Sequence, residues 1–306
     1  MMGTYNSAEV ILSFACSFLG AFIAISGCEE LRGVYLRNPN PSMSHVVHYY
    51  LLIGMSLGGV GIWGMHFIGM GSMQLYSRDG DEVDIEYNIG VSIFSILVAV
   101  TMVCIGVAIA SHDRVYAKSK GEIIELFSND LGELTISEIR NVSPSQLLFL
   151  ACTKELHYLI LGSLFAASGV GIMHYVGMAA IEFPGTIEWN IGVIAASVFM
   201  AIIVAIIGFW ILFRLLSIYP HIEGLRFISA IIMAIAVCGT HYVGMLAANF
   251  IVDEAAVNHH RLRASLGWRT STLSQSDGLI PVILSIFITL WIFTIYLFRQ
   301  LRMRLR

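Results

Sequence analysis

Residues Gly59–Met70 read G-V-G-I-W-G-M-H-F-I-G-M. The pattern returns as G-V-G-I-M-H-Y-V-G-M at Gly169–Met178 and as C-G-T-H-Y-V-G-M at Cys238–Met245. Each copy lies late in an apolar run that lacks Asp, Glu, Lys and Arg. In each, a histidine and the closing methionine stand four apart: His66/Met70, His174/Met178 and His241/Met245. On an α-helix, residues i and i+4 share a face, so each helix offers an imidazole and a thioether together. Gly69, Gly177 and Gly244 remove bulk beside that face, which suits close helix approach in lipid. Met65 and Met173 stand about 100° further round the helix and are poorer candidates for the same ligand shell.

The repeat extends outward from the motifs. E-Y-N-I-G-V (Glu86–Val91) matches E-W-N-I-G-V (Glu188–Val193) after the first two copies, and His48-Tyr49 matches His157-Tyr158 before them. A fixed repeat defines the architectural unit. Here that unit is a two-helix hairpin used three times, preceded by one lone first helix. The third copy is the weakest, its return helix opening on Asp277-Gly278-Leu279-Ile280-Pro281.

Composition says where these helices live. Hydrophobic residues make up 57% of the 306, and charged residues only 12%, against about 25% in a typical soluble protein. A mean hydropathy of +0.78 excludes a disordered chain and argues against a soluble enzyme. The net charge of −4 gives no nucleic-acid footprint. The five cysteines form no C-x-x-C pair, so neither a disulfide framework nor a zinc ribbon is expected.

A membrane helix needs about 20 mostly apolar residues. Seven windows qualify: Val10–Cys28, Asn38–Ser77 with its helix placed at Val47–Met73, Tyr87–His112, Leu156–Ile181, Trp189–Phe213, Phe227–Val252 and Gly278–Phe298. The reading is an all-α membrane protein of seven transmembrane helices. Of the 17 Lys and Arg, most fall in the first, third and fifth connections and the tail. The positive-inside rule then places the N-terminus outside and the C-terminus in the cytoplasm. All three motifs fall in the outer half of the bilayer, His241 nearest the midplane. The basic tail, residues 299–306, suits anionic lipid. No chemistry is assigned to the third connection, residues 111–154.

Three imidazoles at similar depth on parallel helices can converge on one point. Intramembrane histidines are costly without a partner and mark functional sites facing the bundle interior. Imidazole suits zinc, copper, iron and nickel, whereas thioether selects copper. The candidate metal ligands are therefore His66, Met70, His174, Met178, His241 and Met245, a mixed set that favours copper over zinc. A redox-active ion with an open position can bind a diatomic gas. Asn88 and Asn190 begin the return helices on the same side. They are either partners for a ligand's second ring nitrogen or helix N-caps. Tyr175 and Tyr242, matched by Phe67, either pack or orient the site. Glu82, Asp84, Glu86, Glu182 and Glu188 form an acidic outer surface.

These motifs resemble the MHYT family of integral membrane sensors, named for a repeated Met-His-Tyr-Thr signature on alternate helices of a seven-span domain. The resemblance covers about residues 8–298. It rests on Met65-His66-Phe67, Met173-His174-Tyr175 and Thr240-His241-Tyr242, each closed by Gly-Met. The chain departs from the signature at Phe67, at Thr240, and at Ile68, Val176 and Val243, where the signature has Thr. The resemblance implies a copper site sensing oxygen, carbon monoxide or nitric oxide, in the plasma membrane or bacterial inner membrane. Relatives often carry a cytoplasmic signalling domain after the last span. The sequence holds no separate output domain up to Arg306, so the expectation is either a separate cytoplasmic partner that reads the signal, or a chain that is a fragment or a stand-alone form.

Two other functions compete. A three-histidine intramembrane zinc hydrolase would need a carboxylate to manage the attacking water, and no span holds one at its centre. A copper or cation transporter would stack ligands through the membrane, whereas the ligand-like residues cluster on one side. On this reading the chain is not an enzyme.

Overall fold

The computed structural model describes residues 4–78, 80–118, 152–220, 222–253 and 272–274, with isolated positions between 121 and 149 and between 256 and 294. Among them six helices are long and apolar enough to cross a membrane: α1 Ser7–Arg37, α2 Met43–Gly71, α3 Ile89–Ala110, α4 His157–Ala179, α5 Ile191–Ile218 and α6 Glu223–Met245. About half of the expected seventh span, most of the 111–154 connection and the basic tail lie outside the described residues; the described positions of that span, 282–283, 286–291 and 293–294, are helical.

Helix α1 runs nine residues past its expected end at Cys28. Its last turns carry Glu29, Glu30, Arg32 and Arg37, which a charge-free window cannot include. Helix α2 begins at Met43 rather than Val47 and ends at Gly71. Its glycine-rich middle, Gly54–Gly64, is π-helical. It is also the innermost helix, with 89% of its apolar window buried against 11% for α5.

Short antiparallel strands gather at one end of the bundle. They are β1 Thr4–Tyr5, β2 Met73–Tyr76, β3 Glu82–Val83, β4 Glu86–Asn88, β5 Ile181–Glu182, β6 Gly185–Trp189, β7 Ala248–Val252 and β8 Thr272–Ser274. The pairings repeat. The strand before α1 pairs with the one after α2, β4 before α3 pairs with β5 after α4, and β6 before α5 pairs with β7 after α6.

Each corner is fastened alike. The backbone N–H groups of Asn6, Asn88 and Asn190 donate to the carbonyls of Ser72, Ala180 and Ala247, each at 2.8 Å. Those carbonyls lie six residues past His66, His174 and His241. The same asparagines cap α1, α3 and α5, their side chains accepting from Ala8, Val91 and Val193. A serine seven residues beyond each cap ties that helix to a motif helix. Ser13 pairs with the Tyr242 hydroxyl at 3.2 Å, Ser95 accepts from the Trp63 indole at 2.9 Å, and Ser197 pairs with the Tyr175 hydroxyl at 2.5 Å.

The asparagine corners join each capped helix to the motif helix that follows it, as α1–α2, α3–α4 and α5–α6, while the serine bonds join α3 and α5 to the motif helices before them, the hairpins expected from sequence. Helix α1 packs against α6 and closes a ring. Its membership is hard to see in the sequence because Asn6 and Ser13 are nearly all that it shares with the other two copies.

A candidate metal centre of three histidines

The three fastened corners bring the motif helices to a common level. Helices α2, α4 and α6 end five, five and four residues past their histidines. His241 is therefore no deeper than its two counterparts, because residues 246–252 form a turn and β7 rather than more helix. All three rings are buried, at 0%, 6% and 4% exposure for His66, His174 and His241. One ligating nitrogen from each lies within 4.8 Å of the others.

The converging atoms are the Nδ1 nitrogens. His66 and His241 stand 3.1 Å apart at Nδ1, and His241 and His174 stand 3.4 Å apart. An imidazole nitrogen either donates or accepts in its ring plane, not both. Three such atoms meeting at one place cannot all satisfy one another. One cation between them satisfies every lone pair. Metal–imidazole bonds of about 2.0–2.1 Å set their nitrogens about 3.3–3.6 Å apart, close to the spacing seen. The residues present therefore fit a tricoordinate or tetrahedral ion.

The Nε2 atoms point outward and explain the motif glycines. His66 Nε2 stands over Gly177, His174 Nε2 over Gly244 and His241 Nε2 over Gly69. A Cβ on Gly69 would meet the His241 ring at 2.5 Å, and the other two overlaps are closer. The glycines thus make room for the imidazole of a neighbouring helix, a more specific role than general close approach. None of the three Nε2 atoms has a hydrogen-bond partner among the described residues.

Aromatic rings flank each imidazole edge-on. The centroids lie 5.1 Å apart for Phe67 and His66, 4.8 Å for Tyr175 and His174, and 4.9 Å for Tyr242 and His241. Phe67 has no hydroxyl to reach Ser95. Trp63, one turn earlier, supplies the bond that Tyr175 makes to the equivalent Ser197. The alternative role of Asn88 and Asn190 as ring partners is not realised. Both cap helices, and Asn88 also donates to Glu182 at 3.0 Å. Two of the expected acidic surface groups are engaged rather than free, since Glu86 is buried and accepts from Thr272 at 2.6 Å.

A small cavity adjoins the triad on the side away from the strands. It is lined by the histidines, by Met65, Met173 and Thr240 just before them, and by Ile62, Val170 and Val237 one turn earlier. At about 100° per residue, positions i−4, i−1, i and i+3 fall on one arc around the bundle axis. The i+4 methionines sit at its edge. Met70, Met178 and Met245 are buried on the strand side of the triad and line no part of this cavity.

Sequence reasoning missed a second buried polar cluster. Arg214, one of the cations that the charge count assigns to the fifth connection, has a wholly buried side chain, as does Asp113. They pair at 2.7 Å, and the guanidinium also donates to the carbonyls of Lys154 and Glu155. A π-helical turn, Ile211–Leu215, carries Arg214 inward. Nearby, Tyr116 donates its hydroxyl to the Cys28 carbonyl. Burial pushes that hydroxyl well above the ordinary phenol range. None of the five cysteines is paired.

Residues 59–119 and 168–222 match the MHYT family, described as "Bacterial signalling protein N terminal repeat". The bifunctional diguanylate cyclase/cyclic di-GMP phosphodiesterase MucR of Pseudomonas aeruginosa is 27% identical over 253 residues, 82% of this chain and 29% of that protein. The signaling protein YkoW of Bacillus subtilis is 27% identical over 295 residues, 95% of this chain and 28% of its own length. The cyclic di-GMP phosphodiesterase NbdA of Pseudomonas aeruginosa is 24% identical over 286 residues, 89% of this chain and 28% of that protein. The chain thus spans less than a third of the curated relatives it matches. No solved structure matches it. Six membrane-length helices make the chain a multi-pass membrane protein, and two stretches of it match the repeat of the MHYT signalling family.

Proposed function

We propose that the chain is a membrane sensor whose three histidines hold a copper ion that binds a diatomic gas: oxygen, carbon monoxide or nitric oxide. The observation that carries this reading is the meeting of three Nδ1 atoms within a buried centre. His66, His174 and His241 are the proposed imidazole ligands. Met70, Met178 and Met245 offer thioethers from the strand side, and soft sulfur donors select copper over zinc. When bound, the ion supplies an open coordination position for the gas. The protein's residues fix the three rings, exclude water and couple the site to helix packing.

In this reading the bundle is completed by a seventh span near residues 278–298. The strand-bearing end faces outside and the C-terminus lies in the cytoplasm. The state of the site would be passed to a cytoplasmic signalling partner. The enzymatic names of MucR and NbdA belong to proteins most of whose length this chain does not match, so no catalytic activity is proposed.

Metal analysis of the purified chain tests the proposal. About one copper per chain is expected, lost on replacing the three histidines together by Ala. A chain that binds no stoichiometric metal, or binds it equally well without those histidines, contradicts it.

A further inference from the structure

Beside the triad lies a larger cavity of about 170 Å³, lined chiefly by α4, α5 and α6 and floored by Leu57 and Ile62 of α2 and Val103 of α3. Small residues make the room, among them Ala166, Ala205, Gly208 and Ala236. Thr240 is the only residue with a polar side chain among the described residues that line it. Its hydroxyl is already donated to the Ala236 carbonyl at 2.8 Å. The cavity and the triad's own chamber share Ile62, Val170, Ala201, Val237 and Thr240, so the two adjoin. Toward the outside of the bundle its margin includes Ile207 and Ile232, which are 49% and 46% exposed on the apolar face between α5 and α6.

The opposite side of the triad is closed. Met70, Met178 and Met245 are buried there, and beyond them Ser72, Ala180 and Ala247 are buried beneath the three corner hydrogen bonds. A polar or charged ligand would lose its hydration in the cavity and find nothing to replace it. An uncharged apolar molecule loses little. A cavity of about 150 Å³ lined by apolar side chains stays dry and takes up xenon or benzene.

We infer that this cavity binds a small apolar gas molecule and is its path from the lipid core to the three histidines. The inference deepens the sensor reading and, in its second half, rests on it. The occupant is of the diatomic-gas class; a lipid tail lodged in the space is the competing outcome.

The test uses the full chain in nanodiscs of saturated phosphatidylcholine. Xenon binding is measured by 129Xe NMR, first on the unaltered protein and then on Ala205→Phe and Ala236→Phe. Saturable xenon binding is expected in the first and its loss in both variants. Ala205→Leu serves where the larger ring prevents folding. On copper-loaded protein, nitric oxide binding should slow about tenfold in the filled variants, equivalent to about 1.4 kcal/mol on the barrier, with copper content unchanged. No xenon binding, or unaltered nitric oxide rates in a filled and folded variant, overturns the inference. Xenon binding needs no metal, so xenon uptake by a chain that holds no copper would uphold the cavity while refuting the sensor reading.

Discussion

The Nε2 atom of His66 lies directly over the α-carbon side of Gly177, on the next motif helix, where any Cβ would overlap it. The relation continues round the ring, from His174 to Gly244 and from His241 to Gly69. Each glycine therefore serves a histidine that is not its own neighbour in sequence. Gly177→Ala should displace His66 alone and weaken metal binding about 10–100-fold, the usual effect of disturbing a ligand's supporting contacts. Gly244→Ala should imitate His174→Ala, and Gly69→Ala should imitate His241→Ala. Metal titration of single and double variants checks this. Gly177→Ala should add nothing to His66→Ala, and additive losses would refute the cross-helix pairing.

The asparagine caps make a contrasting prediction. Asn190 bonds the backbone of its own helix and lies outside the triad's lining. Asn190→Ala should cost about 0.5–2 kcal/mol of stability, as lost N-caps do, and leave metal content unchanged. Thermal unfolding together with metal analysis separates this from a role as ring partner, which would lower both.

The Arg214–Asp113 pair predicts the largest single effect on stability. Removing one member of a buried pair leaves an uncompensated charge and costs about 3–5 kcal/mol. Arg214→Ala and Asp113→Leu should each destabilise to that degree. Arg214→Met combined with Asp113→Leu should recover most of the loss, since an apolar pair of similar volume has no charge to strand. Chemical unfolding in detergent measures all three. Equal destabilisation by the double variant would show that the backbone contacts of Arg214 dominate instead.

An ion bound only by the folded state stabilises it. At a free concentration one hundred times the dissociation constant the gain is about 2.7 kcal/mol. Chelation should therefore lower the unfolding midpoint of the copper-loaded protein and leave the triple His→Ala variant unmoved. A midpoint that falls equally in both would assign the effect to another site.

Much of this arrangement was legible in the sequence, for definite reasons. The motif helices announced themselves because a histidine in an apolar run is rare and three in one register are rarer. Their common facing followed from helical spacing. The place of α1 in the ring did not follow. The kinship of α1 with α3 and α5 resides in Asn6, Ser13 and one backbone hydrogen bond to Ser72, and a main-chain bond leaves no trace in residue type. The i+4 rule related each methionine to its own histidine but not to the bundle axis, so it did not show the cavity that Met65 and Met173 line. Arg214 read as a loop charge because its partner, Asp113, lies 101 residues away.

X-ray absorption spectroscopy of the copper-loaded chain examines the central claim most directly. Three imidazole nitrogens at about 2.0 Å are predicted, falling to two in His66→Ala and likewise in Gly177→Ala. A bound ion that shows fewer than three imidazoles in the unaltered protein, or the same shell after His66→Ala, would contradict the account.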